Sequence, residues 1–586
     1  MAIAQSAVIA LIALILTPGY MFYFDVTPKT VVLMAGVGLM TLAAWPARSR
    51  FSALLLANGL SLALSTACSV NPGLSAFGTN WRRLGAVEYG AAMLLAALVA
   101  GHAAGRPERA RTILRGVSLA AIAASIYGIL QYFGVDPLLP KAAYHIGEGL
   151  WTIVRPPSTF GYVSYFADWL VFAVFLSLTL AAMETKPWLR YGAWAAAGLA
   201  GFALVLTGTR AAMLGLLVGV GFALWRRGAR LSRRLSIAAA MLAVALAGFY
   251  YSPPGWNLRS RARWFAEDPR GGARLYLWRD SLRMAAHRLP VGYGPETFTA
   301  QFPRYESEAL ASAYPDFAHE SPHNIFLDAL TSQGIPGLAI LGAICVFGFR
   351  RQRNPWLGAA LAGGLTALQF TVLTLPLAVV FYVTVAMADA LGAEARERRP
   401  AGRWAMAGRM TCAVALLTVA LRLGVADRAL ELCRRSAGSG AVAEAAARYR
   451  AYDAWRLPGT SADLWYSRAM SEAARNTPDP LSRLTASMEA GGAALRATRT
   501  AEEPFNAWYR AAQLYASQND PAHAESSLRN AIAAYPGWFK PHWTLARLLQ
   551  LENRREEAQH EAALAARLNG GKDSEVSDTL RDVLEK

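Results

Sequence analysis

Apolar positions fall in about thirteen long runs, near 3–24, 29–47, 51–67, 85–103, 112–133, 160–182, 189–206, 211–225, 234–251, 324–349, 356–372, 374–392 and 403–424. A helix needs about 20 mostly apolar residues to cross roughly 30 Å of hydrocarbon. The pattern therefore predicts an all-α, polytopic transmembrane bundle of 12–13 spans over residues 1–424, in which 211–225 and 356–392 match the spanning pattern least well. The first run lacks a basic leader and continues into further spans, so it reads as a span rather than a cleaved signal.

The polar intervals alternate in charge. With the N-terminus in the cytoplasm, one set of short loops holds Arg48 and Arg50, then Arg106, Arg109 and Arg111, then Lys186 and Arg190, then Arg226 to Arg234, Arg350 to Arg353, and Arg396 to Arg403. This is the positive-inside pattern. The opposite loops are 68–84, 134–159, 207–210, 252–323, the neighbourhood of 373, and 425–586. The large outer loop 252–323 is also Arg-rich, and long loops are exempt from the rule, so its arginines call for another explanation.

From 425 the chain turns to Ala, Arg and Glu with helical periodicity. Ala512, Ala524, Leu528, Ala531 and Pro536 recur 34 residues later as Ala546, Ala558, Ala562, Ala565 and Gly570. That period resembles the tetratricopeptide repeat, a helix–turn–helix unit. The expected division is a degenerate helical region at 425–504, two repeats at 505–572 and a C-terminal tail at 573–586. Together they form a soluble α-solenoid outside the cytoplasm, suited to a protein partner.

Composition narrows the functional classes. Of 586 residues, 54% are hydrophobic and 17% charged, a membrane-type balance. The net charge of +18 is explained by topology rather than by nucleic acid. The four cysteines form no CxxC pair, which argues against a disulfide framework or a zinc-thiolate site. No Walker A motif and no DxD triplet occurs.

Candidate chemistry lies in the outer loops. Thr207-Gly-Thr-Arg210 sits between two apolar runs with almost no loop. A charge at that depth faces a cavity or a partner, or else snorkels to headgroups. The long loop carries Arg274, Trp278, Arg279 and Arg304. Guanidinium groups bind phosphate oxygens bidentately, so these arginines suit a pyrophosphate-bearing lipid. His319-Glu-Ser-Pro-His323 spells HExxH, but Pro322 breaks the continuous helix a zinc protease needs. The expected arrangement is Ser321 as N-cap and Pro322 at the first helical position. His323 would then stand in the first turn of a membrane helix as a neutral general base, with Asn324 orienting it or binding a sugar hydroxyl.

These residues carry a family resemblance. Ser321-Pro-His-Asn-Ile-Phe-Leu327 with Gly334-Ile-Pro-Gly337 resembles the core of the O-antigen ligase and polymerase superfamily. So do Phe77-Gly-Thr-Asn-Trp-Arg82 with Gly85, Gln131-Tyr-Phe-Gly134, Arg155 with Thr159-Phe-Gly161, Thr207 to Arg210, Arg274 with Trp278, and Pro290 to Pro295. The resemblance covers about 50–390. One departure is Tyr162-Val-Ser164, where the family usually shows Asn-Pro-Asn.

The resemblance implies a metal-independent, inverting transferase in the bacterial inner membrane. It would move a saccharide from undecaprenyl pyrophosphate to a hydroxyl of lipid A core, another glycan or a protein at the periplasmic face. His323, Arg210 and Arg274 would be catalytic, and Arg82, Arg83, Arg155, Arg279, Arg304 and Asn324 would bind substrate. No metal or cofactor is expected. A repeat-unit polymerase or a protein O-oligosaccharyltransferase fits the same residues. A polysaccharide transporter or flippase is the alternative from another class.

Overall fold

The structure is a computed structural model and describes residues 1–146, 153–228, 241, 244–260, 272–394 and 403–585. The first half of the apolar pattern folds as α1 (Ala2–Leu14), α2 (Thr27–Ala43), α3 (Arg50–Ala67), a short α4 (Pro72–Phe77), α5 (Ala86–Ala103), α6 (Pro107–Tyr132), α7 (Val163–Met183), α8 (Pro187–Thr207) and α9 (Arg210–Arg227). A two-stranded antiparallel ribbon, β1 (His145–Ile146) with β2 (Ile153–Val154), precedes α7. The long loop carries α10 (Arg274–Ala286), α11 (Phe298–Gln301) and α12 (Glu308–Ala313). Then come α13 (Ile325–Arg351), α14 (Pro355–Ala367), α15 (Leu375–Gly392) and α16 (Arg403–Gly438).

Seven of these helices are long and apolar enough to cross a membrane, α5 to α8, α13, α15 and α16, while α1 and α2 are apolar but shorter. The expected first span, 3–24, is corrected: α1 has 13 residues and ends at Leu14, where Thr17-Pro-Gly19 turns the chain. At 1.5 Å per residue it is about 20 Å long. Half of the expected span 234–251 lies outside the described residues, as do Arg230, Arg233, Arg234, Arg396, Arg398 and Arg399. Helices α7 and α15 are the most enclosed, each 89% buried over its spanning window, and form the centre of the apolar core.

α13 is kinked where its sequence demands it. Gly334 takes φ 70, and Pro336 lies inside the helix and supplies no N–H. The loop at 289–294 plugs the resulting gap. Ile335 N donates to Leu289 O (2.8 Å), Tyr293 N to Thr331 O (2.9 Å) and Gly294 N to Ser332 O (2.9 Å). A Cβ at Gly334 would lie 2.2 Å from Leu289 O, so only glycine fits. The kink thereby fixes the chain that follows α10.

The C-terminal residues form antiparallel helix pairs. α16 packs on α17 (Val442–Trp455), α18 (Asp463–Asn476) on α19 (Pro480–Thr500), α20 (Pro504–Ser517) on α21 (Pro521–Ala534), and α22 (Phe539–Leu551) on α23 (Arg555–Asn569). The recurring Ala512, Ala524, Ala531, Ala546, Ala558, Ala562 and Ala565 are all buried, the small partners that let these helices approach. α16 runs through 425 without a break. Residues of the expected C-terminal tail form α24 (Ser574–Glu585), whose Val576, Leu580 and Val583 are buried in the same apolar cluster as Leu545 and Ala562.

Candidate functional site

Every sequence-predicted site residue comes at one end of the bundle, the end where α3, α6 and α8 finish and α5, α7, α9 and α13 begin. The chain around His323 differs from expectation. Helix α13 starts at Ile325, and its N-cap is Asn324, whose Oδ1 accepts from Phe326 N (3.0 Å) and Leu327 N (3.1 Å). Asn is as good a cap as Ser, and here the nearer one wins. Ser321 Oγ instead accepts from His323 N (3.1 Å), and His323 takes φ 51. His323 is thus in a tight turn just before the helix, not in its first turn. Asn324 is spent on structure, since its Nδ2 also donates to Gln369 Oε1 (3.0 Å).

Helix α10 holds this turn. Trp278 Nε1 donates to Pro322 O (3.1 Å), and its ring lies 5.9 Å from that of Phe370. Arg274, one turn earlier on the same face, donates from Nη2 to Phe370 O (3.4 Å) and covers the same ring at 5.9 Å. Burial, then Arg274, His319 and Arg82, push the His323 pKa down to about 4. His323 is therefore a neutral imidazole near physiological pH.

Arg210 reaches the same level through helix packing. A Cβ at Gly215 would meet Gly363 O at 2.5 Å, and one at Gly219 would meet Ala359 O at 2.9 Å. These pairs fix an antiparallel register for α9 and α14 that sets Arg210 level with Leu368 to Phe370. Gly208 caps α8 in the left-handed conformation, and Thr209 leads straight into α9, so Arg210 opens its helix beside the Phe370 loop. Arg155 follows β2, and its guanidinium lies 5.1 Å from the Tyr162 ring.

Arg82, Arg83 and Arg279 also engage groups of the protein. Arg82 is buried between Glu296 (3.0 Å) and Asp328 (2.6 Å). Burial alone would lower its pKa, but the two carboxylates more than offset this and raise it. Arg83 turns inward at φ 49 and donates to Asn80 Oδ1 and Phe77 O. Arg279 is paired with Asp280 (2.9 Å) and Ser307 Oγ (2.5 Å). Arg304 is exposed and close enough to Tyr293 to act on it electrostatically.

His319 is buried between the rings of Phe302 (5.9 Å) and Phe317 (5.1 Å), with Glu306 Oε1 at 3.8 Å. Burial takes its pKa down to about 4 and that of Glu306 up to about 7. His319 and His323 flank a break, not one helical face. Sequence reasoning missed Asp168, a fully buried acid of α7 that faces Arg274 and Thr371. Its signal was a lone carboxylate inside an apolar run. It also missed Lys29, whose Nζ donates to Asp25 O (2.8 Å) and to Thr159 O, tying α2 to the Arg155 loop.

A bundle of apolar helices with a neutral imidazole and guanidinium groups gathered at one end is a multi-pass membrane protein with an enzyme-like polar layer. Residues 195–342 match the family model described as O-antigen ligase. The match supports the O-antigen ligase superfamily, and with it an O-antigen ligase- or polymerase-like membrane enzyme using a lipid-linked glycan donor. It spans Arg210, Arg274, Arg279, Arg304, His323 and Asn324, whereas Arg82, Arg83 and Arg155 lie before it. A search of curated proteins finds no match to the chain.

Proposed function

We propose that this protein transfers a saccharide from undecaprenyl pyrophosphate to an acceptor hydroxyl at the periplasmic face of the bacterial inner membrane, by a metal-independent, inverting displacement. The observation that carries the reading is the His323 turn, a neutral imidazole held by Trp278 beside Arg274. In the step itself the acceptor oxygen attacks the anomeric carbon while His323 accepts its proton. The bond from that carbon to the phosphate oxygen breaks, and the lipid pyrophosphate leaves with the electron pair. Arg274 and Arg210 neutralise the charge that grows on the leaving group, and Arg155 assists from the ribbon side. Arg82, Arg83, Arg279 and Asn324 are given no direct part in this step; Arg82 lies between Glu296 and Asp328, and Asn324 caps α13.

The acceptor is lipid A core, a second glycan chain or a protein. The C-terminal helix pairs, with their tetratricopeptide-like spacing, are proposed to recruit the acceptor or a partner protein. A polymerase reading rests on the same residues, whereas a flippase reading has no use for a general base. The test uses purified full-length protein, an undecaprenyl-pyrophosphate glycan, candidate acceptors and EDTA. Transfer should survive EDTA and fail in His323→Ala and Arg210→Ala. Full turnover in both variants would remove the site assignment, and no turnover by the wild type with any acceptor would favour transport.

A further inference from the structure

At the other end of the bundle, away from His323, residues of α3 and α13 line a groove of about 780 Å³. That is within the range of about 300–1,000 Å³ typical of ligand sites. The two helices are tied near the His323 end by Ser65 Oγ donating to Ser332 O (2.5 Å). At the far end Phe51 and Phe347 stack at 5.8 Å, and Phe51 is fully buried. The walls are apolar, from Leu54, Phe347 and Val346, the last 50% exposed. Small Ala53 and Ala343 keep the groove open.

Its mouth is cationic. Arg50 opens α3, and Arg350 and Arg351 close α13. Arg351 is already engaged by Asp389 (3.3 Å). Arg50 and Arg350 are exposed and have no acidic partner among the described residues. A largely apolar groove between one end of α3 and the end of the membrane-crossing α13, opening on two exposed guanidinium groups, matches a molecule with an acyl chain and an anionic head. Basic pockets between membrane helices hold such headgroups, and guanidinium groups take phosphate oxygens in pairs.

We infer that this groove is a binding site for an anionic glycerophospholipid, its phosphate held by Arg50 and Arg350 and one acyl chain lying against Leu54, Val346 and Phe347. The site lies across the membrane from the His323 turn and is independent of the proposed transfer.

Native mass spectrometry of the detergent-purified full chain tests this, with phosphatidylglycerol or phosphatidylcholine added at equal concentration. The wild type should retain phosphatidylglycerol preferentially. The double variant Arg50→Gln, Arg350→Gln should lose that retention roughly tenfold or more, as should Ala343→Trp, which fills the groove without changing charge. Equal retention of the two lipids by the wild type would overturn the inference. So would wild-type retention of phosphatidylglycerol by either variant, because each removes one half of the proposed site.

Discussion

His323 combines a strained backbone with an unusual protonation state. Its φ of 51 is uncommon outside glycine and collects at functional sites. Its folded pKa of about 4 lies below the ordinary value of about 6.5. Between the two values the unfolded chain binds a proton that the folded chain does not. Stability from this group is therefore present above about pH 6.5 and drains away as the pH falls through about 4. The same shift keeps the base available in mild acid. Transfer should show no loss from histidine protonation between about pH 7.5 and 5.5, and His323→Ala should cost about a hundredfold or more. An acid limb centred near 6.5 that disappears in the variant would contradict the burial argument.

Arg82 shows the opposite logic. An arginine in an outer loop gives no sign in the sequence that it will meet two carboxylates 214 and 246 residues away. Removing it leaves Glu296 and Asp328 as uncompensated charges. Arg82→Ala should therefore cost about 3–5 kcal/mol of stability, seen as a lower thermal midpoint, whereas Arg274→Ala should abolish transfer with a much smaller thermal effect. Equal thermal losses in the two variants would erase this distinction.

At the scale of elements, the apolar runs were legible in part, because spanning length and hydropathy are local properties: seven described helices meet both, whereas α1 and α2 fall short in length. The same holds for the two-residue connection before Arg210. What was not legible is how elements lock together. Pro290 to Pro295 and Gly334 to Gly337 stood out as separate motifs, but only the fold shows that one plugs the kink opened by the other. The start of α13 was misplaced because Ser321-Pro322 and Asn324 are both good helix starts, and the choice is made by long-range bonds from Trp278 to Pro322 O and from Asn324 to Gln369. These bonds make Trp278 a positioning residue for His323. Trp278→Phe keeps the ring against Phe370 but deletes the donor, leaving Pro322 O unpaired at a cost of about 1 kcal/mol. The expected result is kcat lower by about tenfold or more with little change in donor KM, since sub-ångström shifts of a catalytic group are costly. Unchanged kcat would show that the turn holds itself.

At the scale of the molecule, the C-terminal helices are not a free appendage. They lie on the loops that carry the site. Asp316, at φ 66, accepts from Trp538 Nε1 (2.8 Å) and Lys540 Nζ (2.5 Å), and Tyr535 Oη donates to Phe317 O (3.3 Å). Arg567 pairs with Glu308 (3.4 Å), and Gly570 packs on Ser312. A second contact area joins Asn80 Nδ2 to Thr460 Oγ1 (3.0 Å), with Glu502 accepting from Asn80 N. The segment 308–319 is thus clasped along its length, and it leads in four residues to His323. If the clasp steadies the turn, weakening it should loosen His323 without unfolding the bundle. Asp316→Asn tolerates the left-handed backbone and keeps an acceptor for Trp538, but loses the charge that holds Lys540. Paired with Trp538→Phe, which removes the donor, it should speed hydrogen exchange of the peptide covering 312–324 and lower transfer, while exchange in α7 and α15 stays unchanged. Unaltered exchange in that peptide would mean that the loop is held by Glu306, His319 and their aromatic neighbours alone, and the C-terminal helices would then serve recruitment only.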